Sequence, residues 1–258
     1  MFGPQSGKTV VLIHGIAGPL GIWQHVTDPL RRQGFQIIQY DLYGRGYSDR
    51  PDGPYDIDLY INQLHDLLSG LSIELPVTLV GWSLGAMISV VYAARHPKLI
   101  NRLVLIAPAG IEVSLPAISR VVMIPLLGEI LMSLMGRPVV VRSLAKGLHI
   151  KDLEDDYRSL VSEQMQHRGY LRSFLSTLRH CAFKDASEDY RMVGNSRLPV
   201  LMISGSEDNS IPLSARKRIG ELIPSLEYKE LPDTGHIPHF ERPEEVSQLL
   251  INFISSGS

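Results

Sequence analysis

Thr78-Leu-Val-Gly-Trp-Ser-Leu-Gly-Ala-Met-Ile-Ser-Val-Val-Tyr-Ala-Ala94 places Ser83 between two glycines, where an apolar run turns straight into an apolar helix. Val77-Thr-Leu-Val80 is short, β-branched and preceded by Pro76, which reads as a buried strand. From Leu84 onward, Met87, Ile88, Val90, Val91 and Ala94 suit a buried helix that His96-Pro97 stops. Only Gly81-Trp-Ser-Leu-Gly85 is left for the reversal, so the turn is very tight. Glycine at both ends removes the Cβ atoms that would collide there and leaves the serine on the tip. The helix behind it adds unpaired backbone N–H groups and a positive dipole end, which favour an oxyanion beside Ser83. A turn that merely packed helix on strand would not need the complete pattern G-x-S-x-G.

The flanking sequence repeats this alternation. Apolar runs at 9–13, 35–40, 102–107, 200–203 and 226–231 read as further strands, with helices expected over 23–32 and about 58–68. That order predicts an α/β fold: a mostly parallel sheet covered by helices on both faces. Ligands of such sheets bind outside the carboxyl ends of the strands. Between Ala107 and Leu198 the alternation breaks for about ninety residues, which read as several helices with an apolar first half and a charged second half. The expected division is a sheet core over 1–110 and 199–258, with a helical cap over 111–198 above the strand ends.

With 258 residues, 44% hydrophobic and 20% charged, the chain fits one globular domain with an insertion. A net charge of −2 makes no electrostatic case for a nucleic-acid partner. The lone cysteine, Cys181, rules out an internal disulfide and a cysteine-based metal cluster, and reads as a small hydrophobe in a helix. No apolar N-terminal run with a basic flank marks a signal peptide, which favours the cytoplasm. The longest apolar run, 121–135, holds Pro125 and Glu129 and is too short to span a bilayer.

A serine hydroxyl is a weak nucleophile until a base takes its proton. Of nine histidines, His236 stands out: Asp233-Thr-Gly-His-Ile-Pro-His-Phe-Glu-Arg-Pro243 follows the last strand and precedes the last helix, at the same sheet edge as Ser83. His239 is its local rival. The base in turn needs a carboxylate to hold its tautomer. Asp208 lies in the loop after strand 200–203, again on the carboxyl side; adjacent Glu207 is the alternative, and Ile106-Ala-Pro-Ala-Gly110 after the preceding strand holds no acid. The chain order Ser83, Asp208, His236 matches one class of serine hydrolase. An oxyanion needs two donors. Leu84 N–H, opening the helix, supplies one, and the loop His14-Gly-Ile-Ala-Gly18 the other, through Ile16 or, as second choice, Ala17.

Taken together, His14-Gly15, Asp41-x-x-Gly44-x-Gly46-x-Ser48-Asp49, the serine turn, Gly205-x-x-Asp208-x-x-x-Pro212 and Gly235-His236 resemble the α/β-hydrolase superfamily, from about residue 9 to the final helix. Gly-Trp-Ser-Leu-Gly is similar to the turn of capped carboxylesterases, while Gly18-Pro19 resembles the oxyanion loop of carbon–carbon-bond hydrolases. Serine at position 83 differs from the dehalogenase and epoxide-hydrolase branches, which place aspartate there. The resemblance implies two further strands before the first one seen, yet only eight residues precede Thr9. A trimmed fold or a missing upstream segment would explain this, and a removed leader would leave the localisation undecided.

The expected function is a cofactor-free, metal-free serine hydrolase acting on small-molecule carboxylic esters with apolar acyl groups. The alternatives are carbon–carbon cleavage of diketones by the same residues, or a receptor of the family that retains them with little turnover. In the cap, the only acid from Val113 to Ile150 is Glu129, set against Arg120, Arg137, Arg142 and Lys146. The run Val121-Val-Met-Ile-Pro-Leu-Leu127 and Ile130-Leu-Met-Ser-Leu-Met135 reads as core packing, as an acyl pocket, or as a transient lipid contact.

Overall fold

The computed structural model describes residues 1–71, 73–111 and 121–256; Arg120, counted above among the basic residues, lies outside them. Six strands, β1 (Thr9–Ile13), β2 (Gln36–Tyr40), β3 (Val77–Trp82), β4 (Ile100–Ile106), β5 (Val200–Gly205) and β6 (Glu227–Leu231), form one sheet in the order β2-β1-β3-β4-β5-β6. Every pairing between them is parallel. The strand order reverses between β1 and β3, so the loops after these two strands diverge at the carboxyl edge, where α/β sheets place ligands. Among the described residues no strand precedes β1. Phe2 only adds a single antiparallel bridge to Ile37, on the free edge of β2.

Alternate strand residues feed two cores. Val11 and Ile13 join Leu79, Leu103 and Met202 beneath α2 (Ile57–Gly70) and α3 (Leu84–Arg95), whereas Val10 and Leu12 face α1 (Gln24–Arg32) and the C-terminal helix. The strand at 226–231, read as nearly apolar, is the exception: four of the five β6 residues are exposed, because among the described strands β6 is an edge strand with a neighbour on one side only.

Between β4 and β5 the described chain is helical. It runs through α4 (Leu127–Ala145), α5 (Glu154–Gln164), α6 (Tyr170–Thr177), a π-turn over Leu178–Ala182 and α7 (Ser187–Gly194). Helix α4 packs against α5 and α6, and its buried residues are Gly128, Met132, Gly136, Val140 and Ala145. Helix α7 lies on α3 instead, and its Tyr190 and Val193 join the core under the sheet. After β5 come α8 (Leu213–Leu222), then β6, the short α9 (Pro238–Glu241) and α10 (Pro243–Ser255). No helix among the described residues is long and apolar enough to cross a membrane.

Candidate active site

The turn after β3 has the sterics its sequence demands. A Cβ on Gly81 would stand 2.3 Å from the Gly85 carbonyl oxygen, and one on Gly85 would stand 2.1 Å from that of Ile13. Ser83 itself takes φ 53° and ψ −113°, a strained conformation for a residue with a Cβ. It is held there because its N–H donates to Ile106 O at 2.9 Å while its carbonyl accepts from Met87 at 3.2 Å and Ala109 at 3.2 Å.

Three side chains from three loops meet at this edge. His236 Nε2 lies 3.1 Å from Ser83 Oγ, and His236 Nδ1 lies 3.0 Å from Asp208 Oδ2. The other Asp208 oxygen accepts the N–H groups of Ser210 at 2.8 Å and Ile211 at 3.1 Å. Burial alone would raise the Asp208 carboxyl. The charge of His236, its hydrogen bond and the two N–H groups outweigh that and hold it below the usual carboxylate range. Glu207 is exposed and does not join this chain. His239, the rival histidine, is fully buried between Trp23 and Trp82, and neither ring nitrogen has a hydrogen-bond partner among the described residues. Burial pushes it down to about 3, so it is a neutral packing group.

The loop after β1 owes its shape to a buried histidine. His14 Nε2 accepts Leu42 N–H at 2.9 Å, which leaves the proton on Nδ1 to donate to Gly15 O at 2.7 Å. Burial lowers His14 to about 4 and keeps it neutral, which this tautomer requires. Carbonyl and following N–H point opposite ways across a trans peptide, so pinning Gly15 O turns Ile16 N–H away from the ring. Asp41 braces the next loop by accepting Leu20 N–H at 2.8 Å and Tyr47 N–H at 3.1 Å.

Two cavities converge on the serine. One of about 520 Å³ is lined by Ser83, Leu84 and His236 with Ala109, Leu178 and Phe183, among others. The second, about 220 Å³, shares Ile16, Ser83, Ser143 and His236 and adds Trp82, Leu144 and Tyr157. Both donor candidates, Ile16 and Leu84, thus border the space around Ser83 Oγ. The helical excursion contributes Ser143, Leu144, Gly147, Tyr157, Leu178 and Phe183 rather than the run from Val121 to Met135, which lines neither cavity. Among the described residues no group of three His, Cys, Asp or Glu side chains is placed to hold a metal ion. Cys181 is buried and pushed up to about 12, an inert thiol.

Three residues that the sequence reading did not single out complete the site. Trp82 Nε1 donates to His236 O at 2.8 Å. Buried Glu241 accepts from Gly235 N–H and Ile237 N–H on either side of His236, and buried Arg45 donates to Ile16 O at 2.5 Å. Trp82 was legible as the bulky member of the serine turn; of the other two, Arg45 stands out only by its place between Gly44 and Gly46, and Glu241 by lying between two nearby prolines, Pro238 and Pro243.

Residues 8–243 match the profile of the alpha/beta hydrolase fold family. The chain is 25% identical to 2-hydroxy-6-oxo-6-(2'-aminophenyl)hexa-2,4-dienoic acid hydrolase of Metapseudomonas resinovorans, over 97% of this chain and 85% of that one. It is 25% identical to Lipase 3 of a Moraxella species, over 94% of this chain and 76% of that one. Its fold superposes on the enol-lactonase of Burkholderia xenovorans LB400 with a TM-score of 0.85, covering 99% and 95% of the two chains at 21% identity. The parallel sheet and the match across most of its length agree: this chain belongs to the α/β-hydrolase fold family.

Proposed function

We propose that this hydrolase cleaves carboxylic esters with apolar acyl groups through an acyl-enzyme, beneath a helical cap formed within residues 111–198. The observation that carries the proposal is the chain Ser83 Oγ, His236, Asp208, with links of 3.1 and 3.0 Å at the mouth of two cavities. Ser83 Oγ attacks the ester carbonyl carbon as its proton passes to His236 Nε2, and Asp208 holds the ring through Nδ1. The N–H groups of Leu84 and Ile16 receive the oxyanion. Collapse breaks the bond to the alcohol oxygen, which leaves with the proton from His236. Water then attacks the acyl carbon, with His236 as base, and releases the acid and Ser83. Two cavities meeting at the serine suit the two halves of an ester.

The lining supports a neutral substrate. Among the described residues around both cavities there is no Lys, Arg, Asp or Glu. A substrate carboxylate buried there unpaired would cost several kcal/mol. That weighs against an anionic dienoic acid, the substrate type named for the Metapseudomonas relative, while the lipase relative supports the ester reading. Carbon–carbon cleavage by the same residues is the second reading, and that relative is its support. The outward face of α4, which carries exposed Leu127, Ile130 and Leu134, supports transient lipid contact by the cap.

The test is a fluorophosphonate probe followed by mass spectrometry, alongside p-nitrophenyl esters and a diketone panel. Modification of Ser83 with steady ester turnover, both lost in Ser83→Ala, is the expected result. An adduct on another serine rejects the site. Turnover of the diketones alone favours the second reading, and a single acylation that stalls favours a receptor.

A further inference from the structure

Two buried ions of opposite sign join the cap to the two loops that serve Ser83. Glu241, on α9, uses one carboxylate oxygen for Gly235 N–H at 3.0 Å and Ile237 N–H at 3.4 Å. Its other oxygen accepts His149 N–H at 2.8 Å and Ile150 N–H at 2.9 Å, from the turn that follows α4. The remaining N–H of the histidine loop, that of His236, donates to Gly147 O at 2.7 Å in the same turn. All three N–H groups from 235 to 237 therefore end on Glu241 or on the cap, and Gly147 also borders the smaller cavity. On the far side, Arg45 is 1% exposed. Its Nε holds Ile16 O, Nη1 donates to Ser173 Oγ at 3.1 Å and Nη2 to Thr177 Oγ1 at 3.0 Å, both on α6. Its guanidinium lies 5.5 and 5.7 Å from the ring centroids of Tyr170 and Phe174. Tyr170 OH donates to the next carbonyl of the oxyanion loop, Ala17 O, at 3.2 Å.

We infer that Glu241 and Arg45 are positioning residues through which the cap sets the histidine loop and the oxyanion loop. The inference rests on the serine-hydrolase reading above. A carboxylate suits Glu241 because all four of its partners are donors. Glutamine would turn an NH₂ group toward two of them. Arginine suits position 45 because one planar fork reaches three acceptors in fixed directions, which lysine cannot do.

The experiment measures fluorophosphonate labelling rate and active-site-titrated kcat on butyrate ester for Glu241→Gln, Arg45→Met, Ser173→Ala and the Arg45→Met/Ser173→Ala pair. Thermal melts confirm that each is folded at the assay temperature. Glu241→Gln should lower kcat and labelling about tenfold or more with KM changed less than threefold, and should speed amide exchange at both 147–150 and 235–237. Ser173 Oγ accepts from Arg45 and itself donates to Gly44 O at 2.9 Å, so its loss, about threefold to tenfold, should shrink to below about twofold in the Arg45→Met background. Full kcat per titrated site in folded Glu241→Gln, or additive effects of Arg45→Met and Ser173→Ala, would overturn the inference. A wild type that labels without ester turnover defeats the ester reading alone, since labelling still reports the coupling. A wild type that does not label defeats the serine reading, and the exchange at the two segments then decides the inference.

Discussion

Asp208 and His236 meet at 3.0 Å, whereas Glu207, one residue earlier, turns its carboxylate to solvent beside Ser206 Oγ. The loop makes this choice through backbone: Glu207 N–H is fixed to Thr234 O, and the buried Asp208 Oδ1 gathers the N–H groups of Ser210 and Ile211. Asp208→Asn should lower kcat by roughly 10²–10⁴-fold, because an amide nitrogen favours the wrong tautomer of His236. Glu207→Gln should stay within about twofold of wild type. Steady-state kinetics on the two proteins decide the assignment, and the reverse pattern would transfer the role to Glu207.

The acid stability of the fold should be set in part by two buried histidines other than His236. His14 and His239 are pushed down to about 4 and about 3 by burial, against an unfolded value near 6.5. Between those values the unfolded chain binds more protons than the folded one. Their contribution is therefore intact above about pH 6.5 and is lost as pH falls toward 4 and then 3. Each adds a slope of about 1.4 kcal/mol per pH unit in that window. Asp208, held below the usual carboxylate range, acts only at lower pH. His239→Phe keeps a ring against Trp23 and removes two unpaired nitrogens, so urea unfolding from pH 6 to 4.5 should lose one such slope. An unchanged slope would show that His239 is not held neutral.

Much of this arrangement was legible because it is local. The serine turn, the strand runs and the Gly-His loop are set by neighbours within about six residues, so their geometry is readable from the local sequence. The segment between β4 and β5 was legible as helices but not face by face: α4 buries Gly128, Met132, Gly136, Val140 and Ala145 while Ile130 and Leu134 stay exposed, so its apolar content does not mark its buried side. What stayed hidden is long-range. Glu241 in Pro238-His-Phe-Glu-Arg-Pro243 looks like an exposed acid at a helix start, and only the fold brings His149 and Ile150 onto it. Arg45 looks like a loop charge until α6, more than a hundred residues later, supplies its acceptors. The pocket lining was hidden for the same reason: Met132 is a core residue, and Leu178 and Phe183 reach the serine from a part of the chain with no apolar run.

That lining makes a prediction about acyl length. If the larger cavity takes the acyl chain, kcat/KM should climb about fourfold per methylene from acetyl toward hexanoyl esters, the rate equivalent of about 0.8 kcal/mol per buried CH₂. Leu178→Asp should flatten the series by placing a charge in the cavity. Leu131→Asp, at a position that lines neither cavity, should leave the series unchanged. Equal specificity constants from C2 to C8 in wild type would remove the cavity from acyl recognition.

The outer face of α4 is apolar where a surface helix is normally polar. Its buried stripe uses small and medium residues, while the bulkier Ile130 and Leu134 face outward at 55% and 74% exposure. Leu126, Met135 and Val139 extend this patch, so eight of the sixteen exposed large hydrophobics among the described residues fall within 121–139. A large exposed apolar patch rimmed by polar residues marks a contact with a partner or a membrane. Exposed Arg137, Arg142 and Lys146 accompany it, and Glu129, the acid on the same helix, is paired with Arg179. Apolar residues ringed by cations suit the boundary of an anionic bilayer, where each basic residue adds about 1 kcal/mol. The protein should therefore co-sediment with vesicles containing 30% phosphatidylserine, roughly tenfold more than with pure phosphatidylcholine, and 0.5 M salt should weaken the binding. The pair Ile130→Asp and Leu134→Asp should abolish sedimentation while leaving hydrolysis of a soluble butyrate ester intact, because neither side chain lines the cavities at Ser83. A wild type that ignores both vesicles and elutes as a dimer, reverting to monomer in the double variant, would assign the face to a second copy of this chain instead.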